Sequence, residues 1–270
     1  MTIFQAIIYG TVQGLTEFLP ISSTAHLILL PWALGWPDPG LSFDVALHLG
    51  TLVALVLYFW ADWMALIGSA SGIVRGRTQA PDARMALMIV GATIPGAIAG
   101  ALFEHKVEDA LRAPQVIALM LIALGLILAV AEIIGRRKKN LDEISWGDAM
   151  TVGVAQALAI VPGVSRSGVT ITAGLFRSMK RETAARFSFY LSTPLIAGAV
   201  AKRMLDMLKA GATVEQLIPF VVGIVVSGIV GYLAIAFMLR YLQTRTTYLF
   251  VYYRLALGIA VFLAIWTGIR

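Results

Sequence analysis

The chain has 270 residues, of which 59% are hydrophobic and 13% charged, and its mean hydropathy is +0.84. Those figures exclude an ordinary soluble domain and describe an integral membrane protein, expected as a single membrane domain over 1–270. A formal charge of +6 would suit a nucleic-acid binder, but the Lys and Arg of a membrane protein gather on its cytoplasmic loops, so no nucleic-acid partner is expected; the absence of Cys excludes disulfides and thiolate metal sites.

The first residues lack the basic start and small-residue cleavage site of a removable signal peptide, so Met1 onward is expected in the mature protein. Residues 3–36 are apolar but broken at Pro20, with polar residues at the break. Irregular backbone is tolerated at membrane depth only where protein or a water-filled cavity surrounds it, so this stretch is expected to be a re-entrant hairpin. Apolar runs at 41–60, 85–103 and 115–134 follow, each about the length a helix needs to cross a bilayer. A second broken stretch, 149–176, is interrupted at Pro162-Gly163, and runs at 187–201, 214–239 and 249–269 complete the set. The expected fold is an all-α integral membrane protein with six transmembrane helices and two re-entrant helical hairpins.

Each half, 1–140 and 141–270, then holds one hairpin and three spans, and an odd number of spans turns the second half upside down relative to the first. Gly10-x-x-Gln13-x-Leu15 matches Gly153-x-x-Gln156-x-Leu158, and each is followed by a Pro and a Ser/Thr cluster. Inverted-topology repeats with broken helices place a site near the midplane, where the two breaks meet. The loops 61–84, 135–148, 177–186 and 240–248 together carry 13 Lys and Arg against 6 on the opposite side. The positive-inside rule makes the first set cytoplasmic and puts both termini outside.

The breaks also carry the chemistry. Ser23 and His26 are three residues apart, one helical face, a spacing that suits a hydroxyl nucleophile with an imidazole base. Glu17 is an acid inside a membrane segment, a proton acceptor or metal ligand by default, and Gln13 lies one turn before it with a neutral carbonyl. In the second break Ser165, Arg166, Ser167, Gly168 and Thr170 follow Pro162-Gly163. A helix starting there offers unpaired N–H groups and its positive dipole end, and Arg166 adds a planar fork of donors matched to phosphate. An ion pair between Arg166 and Glu17 is the alternative use of that guanidinium. Other polar groups are given quieter roles: Asp44 and His48 as a local pair, Arg254 and Glu132 as snorkelling side chains at cytoplasmic helix ends, and 136–139 as an orientation signal.

The runs Gln13-x-x-x-Glu17, Pro20-Ile21-Ser22-Ser23-Thr24-x-His26 and Pro162-Gly163-Val164-Ser165-Arg166-Ser167-Gly168-x-Thr170 resemble the two signature regions of the undecaprenyl-diphosphate phosphatase family, also called the bacitracin resistance protein family. The likeness covers the whole chain, including Tyr253-Arg254 in the last span, although many members carry Glu where this chain has Gln13. The resemblance implies hydrolysis of undecaprenyl diphosphate on the outer face of the bacterial plasma (inner) membrane, recycling the lipid carrier of peptidoglycan synthesis. On that reading Ser23, His26, Glu17 and Arg166 are catalytic, and Ser22, Ser165, Arg166, Ser167, Gly168 and Thr170 bind phosphate. Glu17 and Gln13 would hold a divalent cation, Mg or Ca. Either Ser23 or His26 could be the nucleophile. The partners are the polyprenyl diphosphate lipid and the bilayer, with a homodimer left open. A transporter or flippase of an anionic polyprenyl lipid is the rival class, because broken helices in inverted repeats also build carriers. A phosphatidate-phosphatase-type enzyme is disfavoured, since Ser165-Arg166 is not followed at short spacing by the His and Asp of that family's final motif.

Overall fold

The computed structural model describes residues 1–69, 72, 76, 80–210 and 214–268, with the side chains at 41, 104–110, 203, 206–210 and 214–216 left out of the description. Arg75, Arg77 and Arg270 of the charge count, residue 269 at the expected end of the last span, and the side chains of Lys106, Arg203 and Lys209 lie outside the described residues. The elements in chain order are α1 (Ile3–Phe18), α2 (Ser23–Leu34), α3 (Leu41–Tyr58), α4 (Trp60–Gly68), α5 (Pro81–Leu111), α6 (Pro114–Ile134), α7 (Trp146–Ala157), α8 (Arg166–Phe176), α9 (Arg181–Ala210), α10 (Val214–Thr244) and α11 (Tyr248–Trp266). Short 3₁₀ turns occupy Leu141–Glu143 and Leu158–Ile160, and no strand occurs among the described residues. The protein is all-α.

Among the described residues four helices, Pro81–Phe103, Pro114–Ile134, Leu217–Thr244 and Tyr248–Trp266, are long and apolar enough to cross a bilayer. A fifth crossing is made if α3 and α4, which meet at a 75° bend, count as one. The outward faces carry exposed apolar side chains such as Ile98 and Leu102 on α5, Leu119 and Leu126 on α6, and Leu233 and Phe237 on α10, as a lipid-facing surface requires. The remaining expected run, 187–201, lies inside α9. Ser188, Ser192 and Thr193 dilute its apolarity, and all three are buried and bonded within the bundle, Ser188 to Thr170 and the other two to carbonyls one turn back. Both broken stretches are helix–break–helix, α1 to α2 and α7 to α8, the second starting at Trp146 rather than 149.

The two halves interleave. Helix α1 packs along α10 and α7 along α5, α3 meets both α10 and α9, and α6 lies against α11. The crossings are tight enough to need glycine. A Cβ on Gly50 would sit 2.1 Å from the carbonyl oxygen of Ile224, and one on Gly153 would sit 2.3 Å from that of Ala92. Backbones approach this closely in lipid only through small residues, because dispersion contacts replace the missing hydrophobic drive between helices.

Apart from those at the two breaks, paired charged residues form two groups, one at each end of the bundle. At one end Lys139 and Arg177 each reach Asp148 at 2.7 Å, Arg186 reaches Asp62 at 2.7 Å, and Arg84 donates to the carbonyl of Ile144. These bonds tie together loops from the 61–84, 135–148 and 177–186 stretches. Glu132 belongs to the same end, but it does not snorkel. It is 1% exposed and accepts from Arg181, Arg137 and the Thr247 hydroxyl, because a carboxylate buried without such donors would cost several kcal/mol by rough estimate. At the other end Arg112 pairs with Asp38 at 3.0 Å.

Candidate active site

The two breaks are built alike. The residue before a proline is pushed out of the helical region, and α1 and the 3₁₀ turn that follows α7 end there: Leu19 before Pro20 at φ −74°, ψ 142°, and Val161 before Pro162 at φ −78°, ψ 122°. Each chain then turns through a serine at positive φ, Ser22 at 75° and Ser165 at 73°. Both serines cap the following helix, Ser22 Oγ accepting from the Ala25 amide and Ser165 Oγ from the Gly168 amide. A non-glycine residue held this way costs about 1–3 kcal/mol and persists only where its surroundings dictate it.

Arg254 on α11 does much of that dictating. It is 1% exposed and donates to the carbonyls of Pro20 in the first break and of Gly163 and Val164 in the second, and also to Met120 and Leu121 on α6. One guanidinium thus ties both breaks to the α6–α11 pair. The sequence expectation that Arg254 snorkels at a helix end is overturned: these carbonyls, orphaned where the helices stop, satisfy its donors inside the protein.

Above this anchor lies the reactive cluster. Glu17, at the end of α1, accepts at Oε2 from the Ser23 hydroxyl at 2.6 Å and from the Gln13 amide at 3.0 Å, and His48 Nε2 on α3 stands 3.4 Å from the same oxygen. Its Oε1 contacts a guanidinium nitrogen of Arg166, at the first position of α8. Residues from both breaks and from α3 therefore converge on one carboxylate. Glu17, Ser22, Ser23, His48, Ser165 and Arg166 all line a cavity of about 590 Å³ whose other walls include Ile28, Ala97, Leu195 and Ala199. Arg112 and Lys202 also line it.

His26 is placed differently from the sequence expectation. It shares the α2 face with Ser23 but turns away: Nδ1 faces the Ser22 carbonyl at 2.7 Å and Nε2 the Tyr253 hydroxyl at 2.6 Å, with the two rings stacked. A carbonyl only accepts, so Nδ1 holds the proton and Nε2 of the neutral ring accepts from Tyr253. The group beside Ser23 is Glu17. His48, read from sequence as the local partner of Asp44, instead uses Nδ1 on the Asp44 backbone carbonyl at 2.7 Å and aims Nε2 at Glu17. A histidine inside an apolar span, four residues after an acid, was the available signal.

Ser167, Gly168 and Thr170 lie behind the cavity wall. Ser167 Oγ donates to the Leu19 carbonyl at 3.0 Å, Gly168 N is taken by the Ser165 cap, and Thr170 bonds the Arg166 carbonyl and Ser188. These bonds hold the start of α8 against the first break and so fix where Arg166 points. For a divalent cation, the donors at Glu17 and Gln13 fit poorly. Both Glu17 oxygens already accept from Arg166, Ser23 and Gln13, and Gln13 turns its amide nitrogen to the carboxylate, which leaves its Oε1 as the one oxygen of the pair unbonded among the described residues. No group of three or more His, Cys, Asp or Glu is assembled among the described residues.

The sequence matches known proteins along nearly all of its length. The profile of the family described as Bacitracin resistance protein BacA matches residues 6–260. A protein of Moorella thermoacetica named undecaprenyl-diphosphatase is 50% identical over 98% of this chain and 99% of its own length. Proteins of the same name from Pelotomaculum thermopropionicum and Pelobacter propionicus are 48% and 45% identical, over 97% and 100% of this chain and 96% and 99% of their own. The break residues, the interleaved bundle and the full-length matches agree, and the chain belongs to the bacitracin resistance protein BacA family.

Proposed function

We propose that this protein is an undecaprenyl-diphosphate phosphatase, a multi-pass membrane enzyme that hydrolyses the diphosphate lipid to undecaprenyl phosphate and inorganic phosphate, so recycling the peptidoglycan lipid carrier and conferring bacitracin resistance. The observation that carries the mechanism is the convergence of Ser23, Glu17 and Arg166 in one cavity with apolar walls. The apolar part suits a prenyl tail and the polar end a diphosphate.

Ser23 Oγ attacks the terminal phosphorus while its proton passes to Glu17, the acceptor 2.6 Å away. The new Oγ–P bond forms as the bridging P–O bond breaks, and undecaprenyl phosphate leaves. Glu17 gives its proton to the departing undecaprenyl phosphate; it then takes a proton from the water that attacks the phosphoserine, the P–Oγ bond breaks, inorganic phosphate leaves, and Glu17 returns that proton to Ser23 Oγ. Arg166 turns its remaining donors to the transferring phosphoryl oxygens, where charge stabilisation is the main task of a phosphoryl-transfer site. His26 supports the turn at Ser22 through that residue's carbonyl. Phosphate release from the purified protein in detergent, across prenyl diphosphates with and without divalent cation, tests the reading; a carrier of an anionic lipid would release none.

The role of Glu17 has its own test. Glu17→Gln is expected to remove most activity with or without a chelator, because an amide cannot take the Ser23 proton. Gln13→Glu is expected to stay active and to become more chelator-sensitive than the wild type, since two carboxylates about 3 Å apart keep both charges only with a cation between them. Full activity of Glu17→Gln in a chelator-treated preparation would remove Glu17 from the mechanism.

The same proposal places the protein in the bacterial plasma membrane with six spans, two re-entrant hairpins and the cavity open to the outer face, arranged as inverted repeats 1–140 and 141–270. The matched pre-proline ends, the paired serine caps and the reciprocal packing of α1 on α10 and α7 on α5 support the repeat. The end carrying Asp148 and Glu132 holds most of the Lys and Arg and is assigned to the cytoplasm. Because the chain has no native Cys, single substitutions report sidedness without background. An impermeant maleimide on intact cells is expected to label a Cys at 38 and not one at 140; the reverse pattern would overturn the orientation.

A further inference from the structure

Gln156 lines the cavity with both of its polar side-chain atoms buried. It is 1% exposed, yet neither Nε2 nor Oε1 has a hydrogen-bond partner among the described residues. A buried donor and a buried acceptor left unmatched are each destabilising, so such groups persist where a ligand completes them. The residue lines the same cavity as Ser23 and Arg166. Its amide nitrogen lies against Gly96 on α5, where an added Cβ would approach to 3.2 Å.

The sequence explains why this amide is spare. In the first break Gln13 is followed four residues later by Glu17, and its Nε2 donates to that acid at 3.0 Å. The matching glutamine of the second break is followed four residues later by Ile160. The amide nitrogen of Gln156 sits where the carboxylate that would accept from it is missing. A ligand that satisfies both ends must accept one hydrogen bond and donate another. A carboxylate or a fully ionised phosphate can only accept, and a prenyl chain can do neither. A partly protonated phosphoryl group does both, its P–O⁻ accepting from Nε2 and its P–OH donating to Oε1.

We infer that Gln156 is a substrate-contacting residue that binds a partly protonated phosphoryl group, in the diphosphate lipid or in released phosphate, in the cavity it shares with Ser23 and Glu17. This rests on the phosphatase reading above, and wild-type turnover in the same assay tests that reading separately.

The test uses the full-length protein purified in detergent, with Gln156→Met as the near-isosteric apolar variant, Gln156→Leu as a second and Gln156→Glu as the charged one. Hydrolysis of undecaprenyl diphosphate gives KM and kcat, and thermal melting with and without inorganic phosphate reports the free anion. Gln156→Met is expected to melt at or above the wild type, because two unmatched polar atoms are gone, while KM rises about tenfold or more, the loss expected for a hydrogen bond to a charged group. The upward melting shift given by phosphate should shrink with it if Gln156 holds released phosphate, and stay if it holds only the lipid-borne group. Gln156→Glu should raise KM further, since a second anion then faces the substrate. Wild-type KM in both Gln156→Met and Gln156→Leu would overturn the assignment. So would a melting point well below the wild type in both, or failure of both to fold, which would make Gln156 a packing residue.

Discussion

Arg166→Lys is expected to lose nearly as much turnover as Arg166→Ala, about 10²–10³-fold in each, although the lysine keeps the positive charge. The guanidinium sits at the first position of α8, spends one nitrogen on Glu17 Oε1, and presents the rest of its fork to the cavity. Two tasks are therefore done by one planar group: holding the carboxylate that accepts the Ser23 proton, and meeting oxygens of the transferring phosphoryl. An ammonium is a compact point charge on a flexible stem, so a lysine here can satisfy Glu17 or the phosphate but cannot fix both in one geometry. The loss should fall mainly on kcat, because the second contact strengthens as charge develops on the equatorial oxygens. Turnover and substrate affinity for the two variants and the wild type in one membrane preparation, with folding checked, decide the matter. Wild-type turnover in Arg166→Lys would reduce Arg166 to a counter-ion for Glu17, and the phosphate site would have to lie elsewhere in the cavity.

The breaks were legible because proline and its predecessor leave little choice of backbone, and because charged and hydroxyl residues have no cheap place in an apolar segment. Leu19 ends α1 and Val161 ends the 3₁₀ turn after α7 for the first reason, and Glu17 and Arg166 meet for the second. What periodicity could not supply was direction. Ser23 and His26 share a helical face, yet Ser22 turns through a positive φ just before them, and the cap geometry sends the imidazole toward Tyr253 and the hydroxyl toward Glu17. Nor could it supply burial. Arg254 and Glu132 sit near helix ends in sequence, where a long or charged side chain usually escapes to water, but here broken helices left carbonyls for one and neighbouring loops left guanidinia for the other. His48 was hidden similarly: only the packing of α3 against the break shows that its free nitrogen faces Glu17. The span count suffered from the opposite effect, since Ser188, Ser192 and Thr193 lower the hydropathy of α9 while being fully satisfied inside the bundle.

Ser23→Ala is expected to abolish turnover at least as completely as Arg166→Ala, with diphosphate binding retained, because removing a nucleophile acts on the chemical step far more than on ground-state affinity. The geometry gives the reason for choosing serine over histidine. Ser23 Oγ lies on the cavity wall with its proton already directed to Glu17 at 2.6 Å, whereas both nitrogens of His26 are engaged behind the wall, by the Ser22 carbonyl and by Tyr253. For His26 to attack phosphorus, the ring would have to leave both partners and the stack on Tyr253, and the strained turn at Ser22 would lose a bond that holds it. The chemistry of the two phosphoryl intermediates separates the readings: a phosphoserine survives acid, while a phosphohistidine is lost in acid and survives base. Wild-type enzyme stopped in acid during turnover of a diphosphate labelled at its terminal phosphorus should retain label in the peptide containing Ser23, and Ser23→Ala should retain none. Label that disappears in acid, persists in base and is still present in Ser23→Ala would transfer the nucleophile's role to His26 and require the α2 helix to rotate during catalysis.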